Sequence, residues 1–336
     1  MTLYCGIDLH SNNNFVCVID GKDHRLLESK LDNDAALVIQ SLTPYKRRLD
    51  AVAIESTFNW YWLVDALMDA GFEVKLVNTA KVVQYTGLKH TDDRSDAFFL
   101  AHLLRLGILP TGYIYPKAER GLRDLLRKRM NLVQDRTRFI LSLKTQYQRQ
   151  TGLHLSSNNI KSKHFYLPPM EDANVRLAMA SNLNMSRAVT RQIEALEKSI
   201  LSQVEPQHSF ALLKTVGGIG DILSQTILLE TGDISRFKSV GNYASYARCV
   251  DSRRESNGKK KGEGNRKNGN KYLAWAFIEA ANFSIRYNAR AKAYYERKKV
   301  QTNTVVARKA LAHKLARACY HILKDGVAFD EMKLFA

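Results

Sequence analysis

The 336-residue sequence has only four cysteines and lacks both a paired cysteine motif and a long apolar run. Without a CxxC pair, scattered cysteines predict neither a zinc site nor a disulfide framework, and they fit a reducing cytoplasm. No run reaches the roughly 18 apolar residues that a membrane-spanning helix needs, and the first residues lack the basic and apolar regions of a signal peptide. We therefore expect no membrane partner and a cytoplasmic location.

A dinucleotide-binding fingerprint is also missing, because no GxGxxG follows the first predicted strand, which ends in Asp8. Short β-favouring runs at 3–8 and 15–19, separated by a polar turn, predict a hairpin. Together with the segments that follow as far as residue 106, they predict the order β-β-β-α-β-α-β-α. Hairpins first and crossover units afterwards indicate a mixed sheet with helices on its faces, which is the order of ribonuclease H-like folds.

Acidic charge is in short supply, with 33 acidic against 51 basic residues and a net charge of +18. Residues 1–110 hold 11 basic and 14 acidic side chains, so the excess lies in the second part of the chain. There, residues 248–271 combine nine Lys or Arg with four glycines, which predicts a flexible loop around phosphates. The alternative is an ordinary solvated surface, while an interfacial membrane segment is disfavoured because no apolar stripe is present.

The second part of the chain is predicted to be mostly helical. Long helical patterns at 117–150 and 171–204 favour a helical or coiled-coil-like arm, and a plain bundle is the alternative. Gly217, Gly218 and Gly220 then lie between two helices, where a helix-hairpin-helix-like element could direct N–H groups at a phosphate, unless they form a simple turn. The predicted domains are 1–112, an α/β metal-binding domain; 113–208, the arm; and 209–336, a mostly α domain.

Four carboxylates are predicted to converge at one edge of the sheet. Asp8 and Glu55 end strands, while Asp93 and Asp96 share a face at the start of a helix. Such a set is costly unless cations neutralise it, and Mg²⁺, with Mn²⁺ as an alternative, would do so and would position a phosphodiester. Asp92 could replace Asp93 as a ligand, and either could cap the helix. The neighbouring His10 and His90 are interpreted as polar neighbours rather than ligands.

A combination of short motifs resembles a known family. These are Gly6-Ile7-Asp8, Ile54-Glu55-Ser56-Thr57, Lys89 to Ala97, Gly217-Gly218-Ile219-Gly220 and Ser256-Asn257-Gly258-Lys259. In this order, from about residue 3 to 295, they resemble the DEDD-type transposases and recombinases of insertion sequences, which are related to the Piv-like DNA invertases. The resemblance implies a RuvC-like domain that binds Mg²⁺ through Asp8, Glu55, Asp93 and Asp96.

The resemblance further implies a serine nucleophile, and the matching position is Ser256. The residues alone leave Ser252 as an alternative. Members of the family are similar to recombinases in which a serine becomes covalently joined to double-stranded DNA, both donor and target. Several members are guided by a structured noncoding RNA. They assemble as dimers and tetramers. The predicted nucleic-acid contacts are Gly217, Gly218, Gly220, Arg253, Arg254, Lys259, Lys260, Lys261, Arg266, Lys267 and Lys271.

Three other functions remain open from the residues. A RuvC-like structure-selective endonuclease would use water in place of the serine. An actin-like kinase also has a first strand that ends in a metal-facing Asp, but it would need a repeated fold that is not visible. A non-catalytic nucleic-acid-binding protein gives no reason for the four-acid arrangement.

Overall fold

The computed structural model describes residues 1–82, 92–203, 208–250, 254–262 and 268–335. The chain divides into two compact units, Met1–Lys117 and Ala118–Ala336. The three-domain division with boundaries at 112 and 208 stays a prediction. Among the helices of the described residues, none is both long and apolar enough to cross a lipid bilayer.

The first unit alternates strands and helices in the predicted order. Its elements are β1 (Leu3–Leu9), β2 (Asn13–Ile19), β3 (Arg25–Asp32), α1 (Ala35–Leu42), β4 (Leu49–Glu55), α2 (Tyr61–Asp69), β5 (Val74–Val77) and α3 (Asp93–Arg105). The five strands form one sheet in the spatial order β3-β2-β1-β4-β5. Strand β1 is antiparallel to β2 and parallel to β4, so the expected mixed sheet is confirmed.

The two faces of this sheet bury different helices, because side chains alternate along each strand. From β1, Ile7 and its same-face neighbours pack in one cluster with Val38 of α1 and Leu63 of α2. The opposite face is covered by α3, which contacts β1, β2 and β4. The residues of β1 and β4 that face α3 include the predicted acids.

The second unit is mostly helical, as predicted. Its elements are α4 (Lys117–Thr151, which begins at the last residue of the first unit), α5 (Ser157–Lys161), α6 (Ala173–Ser202), α7 (His208–Lys214), α8 (Asp221–Thr231), α9 (Val240–Tyr246), β6 (Arg254–Ser256), β7 (Lys259–Gly262), α10 (Lys271–Tyr287), α11 (Ala289–Gln301), α12 (Thr304–Asp325) and α13 (Glu331–Phe335). A central apolar cluster joins residues of α8, α10 and α12 around the fully buried Tyr243 and Phe277.

The long helices α4 and α6 form an antiparallel pair. Asn182 of α6 donates a hydrogen bond to Gln146 of α4 over 3.1 Å, while Glu197, further along α6, pairs with Arg129, which is nearer the start of α4. An apolar cluster of Leu143 and Leu183 with their neighbours fills the space between the two helices. The pair therefore has its own small core, while Leu126 of α4 and Ile200 of α6 also pack against Leu229 of α8. The helical arm stays a prediction.

The basic segment between α9 and α10 is not simply a loop. Its described part is a two-stranded hairpin in which Ser256 pairs with Lys259 and Arg254 with Gly262. Asn257 and Gly258 form the turn at φ 52° and 69°, which is the left-handed conformation that a two-residue hairpin turn requires. The prediction of a flexible loop was therefore wrong for 254–262, because Asn-Gly between two short runs favours a two-residue hairpin turn.

Candidate metal centre

Strand alternation places Asp8 and Glu55 side by side. Ile7 of β1 pairs with Ile54 of β4, and each acid is the next residue of its strand. Asp8 and Glu55 are therefore neighbours on the two parallel strands. Both belong to the face that α3 covers, since Ala53, two residues before Glu55, packs against Leu100 of α3. Asp8 is only 2% exposed. Two carboxylates therefore share a largely buried position at the carboxyl end of the parallel pair.

Helix α3 contributes two more carboxylates through its first turn. Asp92 is the N-cap, and its side chain accepts a hydrogen bond of 2.7 Å from the backbone N–H of Ser95. Asp93 and Asp96 follow in the first turn, where the helix dipole favours negative charge. Because Asp92 caps the helix, Asp93 is the residue whose side chain enters the cluster.

Close packing of α3 on β1 depends on Gly6. A Cβ atom at this position would lie 2.1 Å from the carbonyl oxygen of Ala97 and 2.7 Å from the backbone nitrogen of Ala101. No side chain fits there without moving the helix. The glycine therefore sets the distance between the strand that ends in Asp8 and the helix that begins at Asp93.

His10 also belongs to this cluster, although the sequence analysis interpreted it as a polar neighbour. Its Nε2 atom lies 3.1 Å from Oδ2 of Asp8 and 3.1 Å from Oδ1 of Asp93. The atom is buried, and within the described residues it has no hydrogen-bond partner. The Asp-x-His spacing, which puts both residues on one face of an extended strand end, was the signal that could have found it. His90 lies outside the described residues.

Among the described residues, neighbouring acids shift the pKa values of this cluster more than any basic group does. Burial, a hydrogen bond with Asp8 and the charges of Asp8 and Asp96 raise the pKa of Glu55 to about 8. Burial and the charges of Asp8 and Asp93 also raise the pKa of Asp96, against a smaller opposing effect of His10. Electrostatic strain of this kind is typical of a site that binds a cation.

The nearest basic side chain in the sequence does not relieve this strain. Arg94 lies between Asp93 and Asp96 along the chain, but its Nε donates a hydrogen bond of 2.8 Å to Glu28 of β3. Glu28 in turn also pairs with Arg25. Arg94, the basic residue of the first turn of α3, therefore pairs with an acid of β3 and not with the acids of the cluster.

The geometry fits a divalent ion. One ligand atom each from Asp8, His10 and Asp93 lies within 4.8 Å of the others. Two atoms bound at about 2.1 Å to one octahedral ion lie about 3 Å apart, which matches the separations between Nε2 and the two carboxylate oxygens. The buried Nε2, which has no hydrogen-bond partner among the described residues, supports an ion at this position independently of the acids.

In the second unit, the glycines between α7 and α8 pack against α10. A Cβ on Gly218, which has φ 103°, would lie 2.5 Å from the backbone nitrogen of Ser284. The Ser284 hydroxyl donates a hydrogen bond to the carbonyl oxygen of Gly217. Gly220 caps α8 without a side-chain hydrogen bond, and open space surrounds its Cα. Part of this motif is thus explained by helix packing, and the phosphate contacts stay a prediction.

Several predicted residues of the basic segment lie outside the described residues, namely Ser252, Arg253, Arg266 and Lys267. For Arg254, Ser256, Lys260 and Lys261 the structure describes the backbone of the hairpin. Lys259 is exposed beside the turn. Lys271 begins α10, with its ammonium 5.1 Å from the centre of the Tyr272 ring.

Two family models match this chain, one after the other along the sequence. A DEDD transposase family model, described as a transposase of the IS110 type, matches residues 5–149. A second model, described as the transposase IS116/IS110/IS902 family, matches residues 210–296. The chain belongs to the IS110 family of DEDD transposases. The first match contains all four carboxylates, and the second contains the glycine turn and the hairpin with Ser256.

Two curated relatives are similar over parts of this IS110-family chain. The 43.6 kDa protein of insertion element IS110 from Streptomyces coelicolor is 26% identical over 154 residues, which is 46% of this chain and 37% of that protein. The protein named "Putative transposase y4qE" of Sinorhizobium fredii is 25% identical over 236 residues, 68% of this chain and 57% of that protein. The matched region thus spans less than two thirds of the length of either relative.

Proposed function

We propose that this chain is a DNA transposase or site-specific recombinase that cuts and rejoins double-stranded DNA. Its metal centre would be formed by Asp8, Glu55, Asp93 and Asp96, and its nucleophile would be Ser256. The observation on which this proposal chiefly rests is the strained carboxylate cluster at the carboxyl end of β1 and β4. The family membership supplies the DNA substrate class.

The fold of the first unit supports a RuvC-like, ribonuclease H-like assignment. Its elements follow the predicted chain order β-β-β-α-β-α-β-α, and its sheet β3-β2-β1-β4-β5 is mixed, with β3, β2 and β1 antiparallel and β1, β4 and β5 parallel. A bound Mg²⁺ or Mn²⁺ would neutralise the acids and polarise a phosphodiester oxygen. The acids themselves would hold and orient the scissile phosphate through that ion.

The serine step exchanges one phosphate ester for another. The Ser256 oxygen would form a bond to phosphorus as the bridging P–O bond to one deoxyribose breaks. The serine proton would leave to a base, and the departing deoxyribose oxygen would gain a proton. Attack by a DNA hydroxyl on the phosphoserine would reverse the exchange and rejoin the strand, so no external energy source is needed. Lys259, opposite Ser256 in the hairpin, would stabilise charge on the phosphorus oxygens.

The basic second unit would bind nucleic acid, both donor and target DNA and a structured guide RNA. The charge excess supports this part, because polyanions are attracted by it in a sequence-independent way. We propose a homo-oligomer, a dimer or a tetramer, since recombination joins two DNA partners. RNA that co-purifies with the protein, once sequenced, would test the guide, and light scattering would test the assembly.

The deciding experiment looks for DNA covalently attached to the protein. The chain is expressed with its native flanking DNA, the lysate is denatured, and protein-bound DNA is measured for the wild type, Ser256→Ala, Ser252→Ala and Asp8→Asn. We expect an adduct in the wild type and in Ser252→Ala, and none in the other two variants. Ser252→Ala is the matched control, since it removes the neighbouring serine of the same segment.

Two results would contradict the proposal. An adduct that persists in Ser256→Ala but disappears in Ser252→Ala would assign the nucleophile to the other serine. Metal-dependent nicking that persists in both serine variants, without any adduct, would instead establish a RuvC-like endonuclease that uses water.

A further inference from the structure

The position of His10 is set independently of the acids that it faces. Its carbonyl oxygen accepts hydrogen bonds from the side chains of Asn33, at 3.0 Å, and Asn59, at 2.9 Å. Its backbone N–H donates to the carbonyl oxygen of Asn13 over 2.9 Å. Three hydrogen bonds from separate segments therefore hold this residue at the end of β1. The backbone of His10 is therefore held beside the cluster by contacts that do not involve the carboxylates.

Nε2, the ring nitrogen of His10 that faces the acids, has no hydrogen-bond partner among the described residues. Nε2 is buried, although the imidazole as a whole is 39% exposed. It lies 3.1 Å from Oδ2 of Asp8 and 3.1 Å from Oδ1 of Asp93, and no described residue completes a hydrogen bond with it. Buried polar atoms in proteins nearly always have a partner, so this one needs an explanation. An ion between the two oxygens would provide it.

We propose that His10 is a nitrogen ligand of the divalent ion held by Asp8 and Asp93, and that it shifts the preference of the site from Mg²⁺ toward transition ions such as Mn²⁺. Mg²⁺ prefers oxygen ligands and keeps its water molecules, whereas first-row transition ions bind imidazole more readily. This inference rests on the metal centre of the proposed function but not on the serine chemistry. It predicts a mixed nitrogen and oxygen site at one end of the carboxylate cluster.

The test uses the full-length protein loaded with Mn²⁺ and electron spin echo spectroscopy, which detects ¹⁴N nuclei bound to the ion. The wild type is expected to show the ¹⁴N modulation of a coordinated imidazole. In His10→Asn, whose amide oxygen still offers a ligand, Mn²⁺ is expected to bind without that modulation. His24→Gln is the matched control, because His24 is a histidine of the same unit that is paired with Asp20 and mostly exposed.

Competition titration gives a second readout that does not depend on catalysis. His10→Asn and His10→Ala are expected to lower Mn²⁺ affinity at least about tenfold, the scale found when groups that support a metal are removed. Mg²⁺ affinity is expected to change much less, so the ratio of the two affinities falls in both variants. His24→Gln should leave both affinities unchanged.

The inference is overturned if bound Mn²⁺ shows no ¹⁴N modulation, if the modulation persists in His10→Asn, or if Mn²⁺ does not bind. Its failure can be distinguished from failure of the proposed function. Metal-dependent DNA cleavage without ¹⁴N modulation removes only the role of His10. Conversely, ¹⁴N modulation in a protein that forms no DNA adduct leaves the ligand in place and removes the serine mechanism.

Discussion

Two buried carboxylate environments in this protein differ in how their charge is compensated. In the second unit, Glu230 is 2% exposed and receives hydrogen bonds from Arg123, at 3.1 Å, Arg127, at 2.9 Å, and Asn270, at 2.7 Å. In the first unit, the equally buried Asp8 faces other carboxylates and one histidine. Arginines compensate Glu230, whereas in the part of the chain that the structure describes Asp8 has an ion pair only with His10.

The pKa values of the two environments shift in opposite directions. Burial would raise the pKa of Glu230, but the hydrogen bond from Arg127 and the charges of Arg123 and Arg127 lower it overall. Burial and neighbouring acids raise the pKa of Glu55 instead. Burial alone therefore does not mark a functional acid. The difference lies in whether the surrounding residues supply the opposite charge, and where they do not, an external cation is expected.

Removing the charge of Glu230 tests the compensated environment and should have the largest effect. Glu230→Gln leaves Arg123 and Arg127 partly buried without their carboxylate, so we expect a loss of about 3–5 kcal/mol in the free energy of unfolding. Chemical denaturation of the full chain measures it. Glu197→Gln, which removes the more exposed partner of Arg129, should cost no more than about 1 kcal/mol. Equal effects of the two variants would contradict the comparison.

Removing a charge from the carboxylate cluster should increase the free energy of unfolding, the opposite of the effect expected for Glu230→Gln. In metal-free protein above about pH 8, where Glu55 is ionised, Asp8→Asn relieves repulsion with Glu55 and Asp96, so we expect stabilisation of about 0.5–2 kcal/mol, the range usual for stabilising substitutions. Slower hydrogen exchange in peptides that cover β1 and α3 would show it. As the matched control, Asp23→Asn should destabilise the same unit, because Asp23 is paired with Arg105 at 2.7 Å. Destabilisation by Asp8→Asn would mean that the cluster is compensated after all.

The pH dependence of stability should also separate the two environments, with a slope of at most about 1.4 kcal/mol per pH unit for one proton. The folded-state pKa of Glu55, about 8, lies above its ordinary value of 4.5, so in metal-free protein its contribution to stability declines as pH rises from about 4.5 to 8. The pKa of Glu230 is lowered, so its contribution is present above its ordinary value and is lost as pH falls through the folded-state pKa. Hydrogen exchange at several pH values, read separately for peptides of each unit, measures both trends. Added Mg²⁺ or Mn²⁺ should remove the first trend only, and loss of both trends would contradict the assignment.

Local sequence patterns predicted much of the first unit. Acids at the ends of apolar runs, such as Asp8 and Glu55, can be placed because strand alternation and strand ends are visible in a few consecutive residues. The same patterns also predicted the lengths of the long helices. The turn of the hairpin at Asn257 and Gly258 is also a local signal, since Asn-Gly favours a two-residue turn. The basic charge and the glycines of the segment predict a loop instead.

Other parts of the site could not be predicted because they depend on contacts between distant segments. The choice between Asp92 and Asp93 required the start of α3, where one residue caps the helix and the other turns inward. The contribution of His10 required its backbone to be held by Asn33 and Asn59, which come from two different loops. Neither feature follows from residue type or spacing alone.

By itself, the sequence determined the order of strands and helices, the basic second part and the acids at the strand ends, because these follow from periodicity and composition within short windows. Only the tertiary structure decided which charges are compensated. Glu230 meets arginines more than a hundred positions away in the chain, whereas the charges that raise the pKa of Glu55 are those of Asp8 and Asp96. The physical reason is that electrostatic energy depends on distances in space, and packing sets those distances after the local elements have formed.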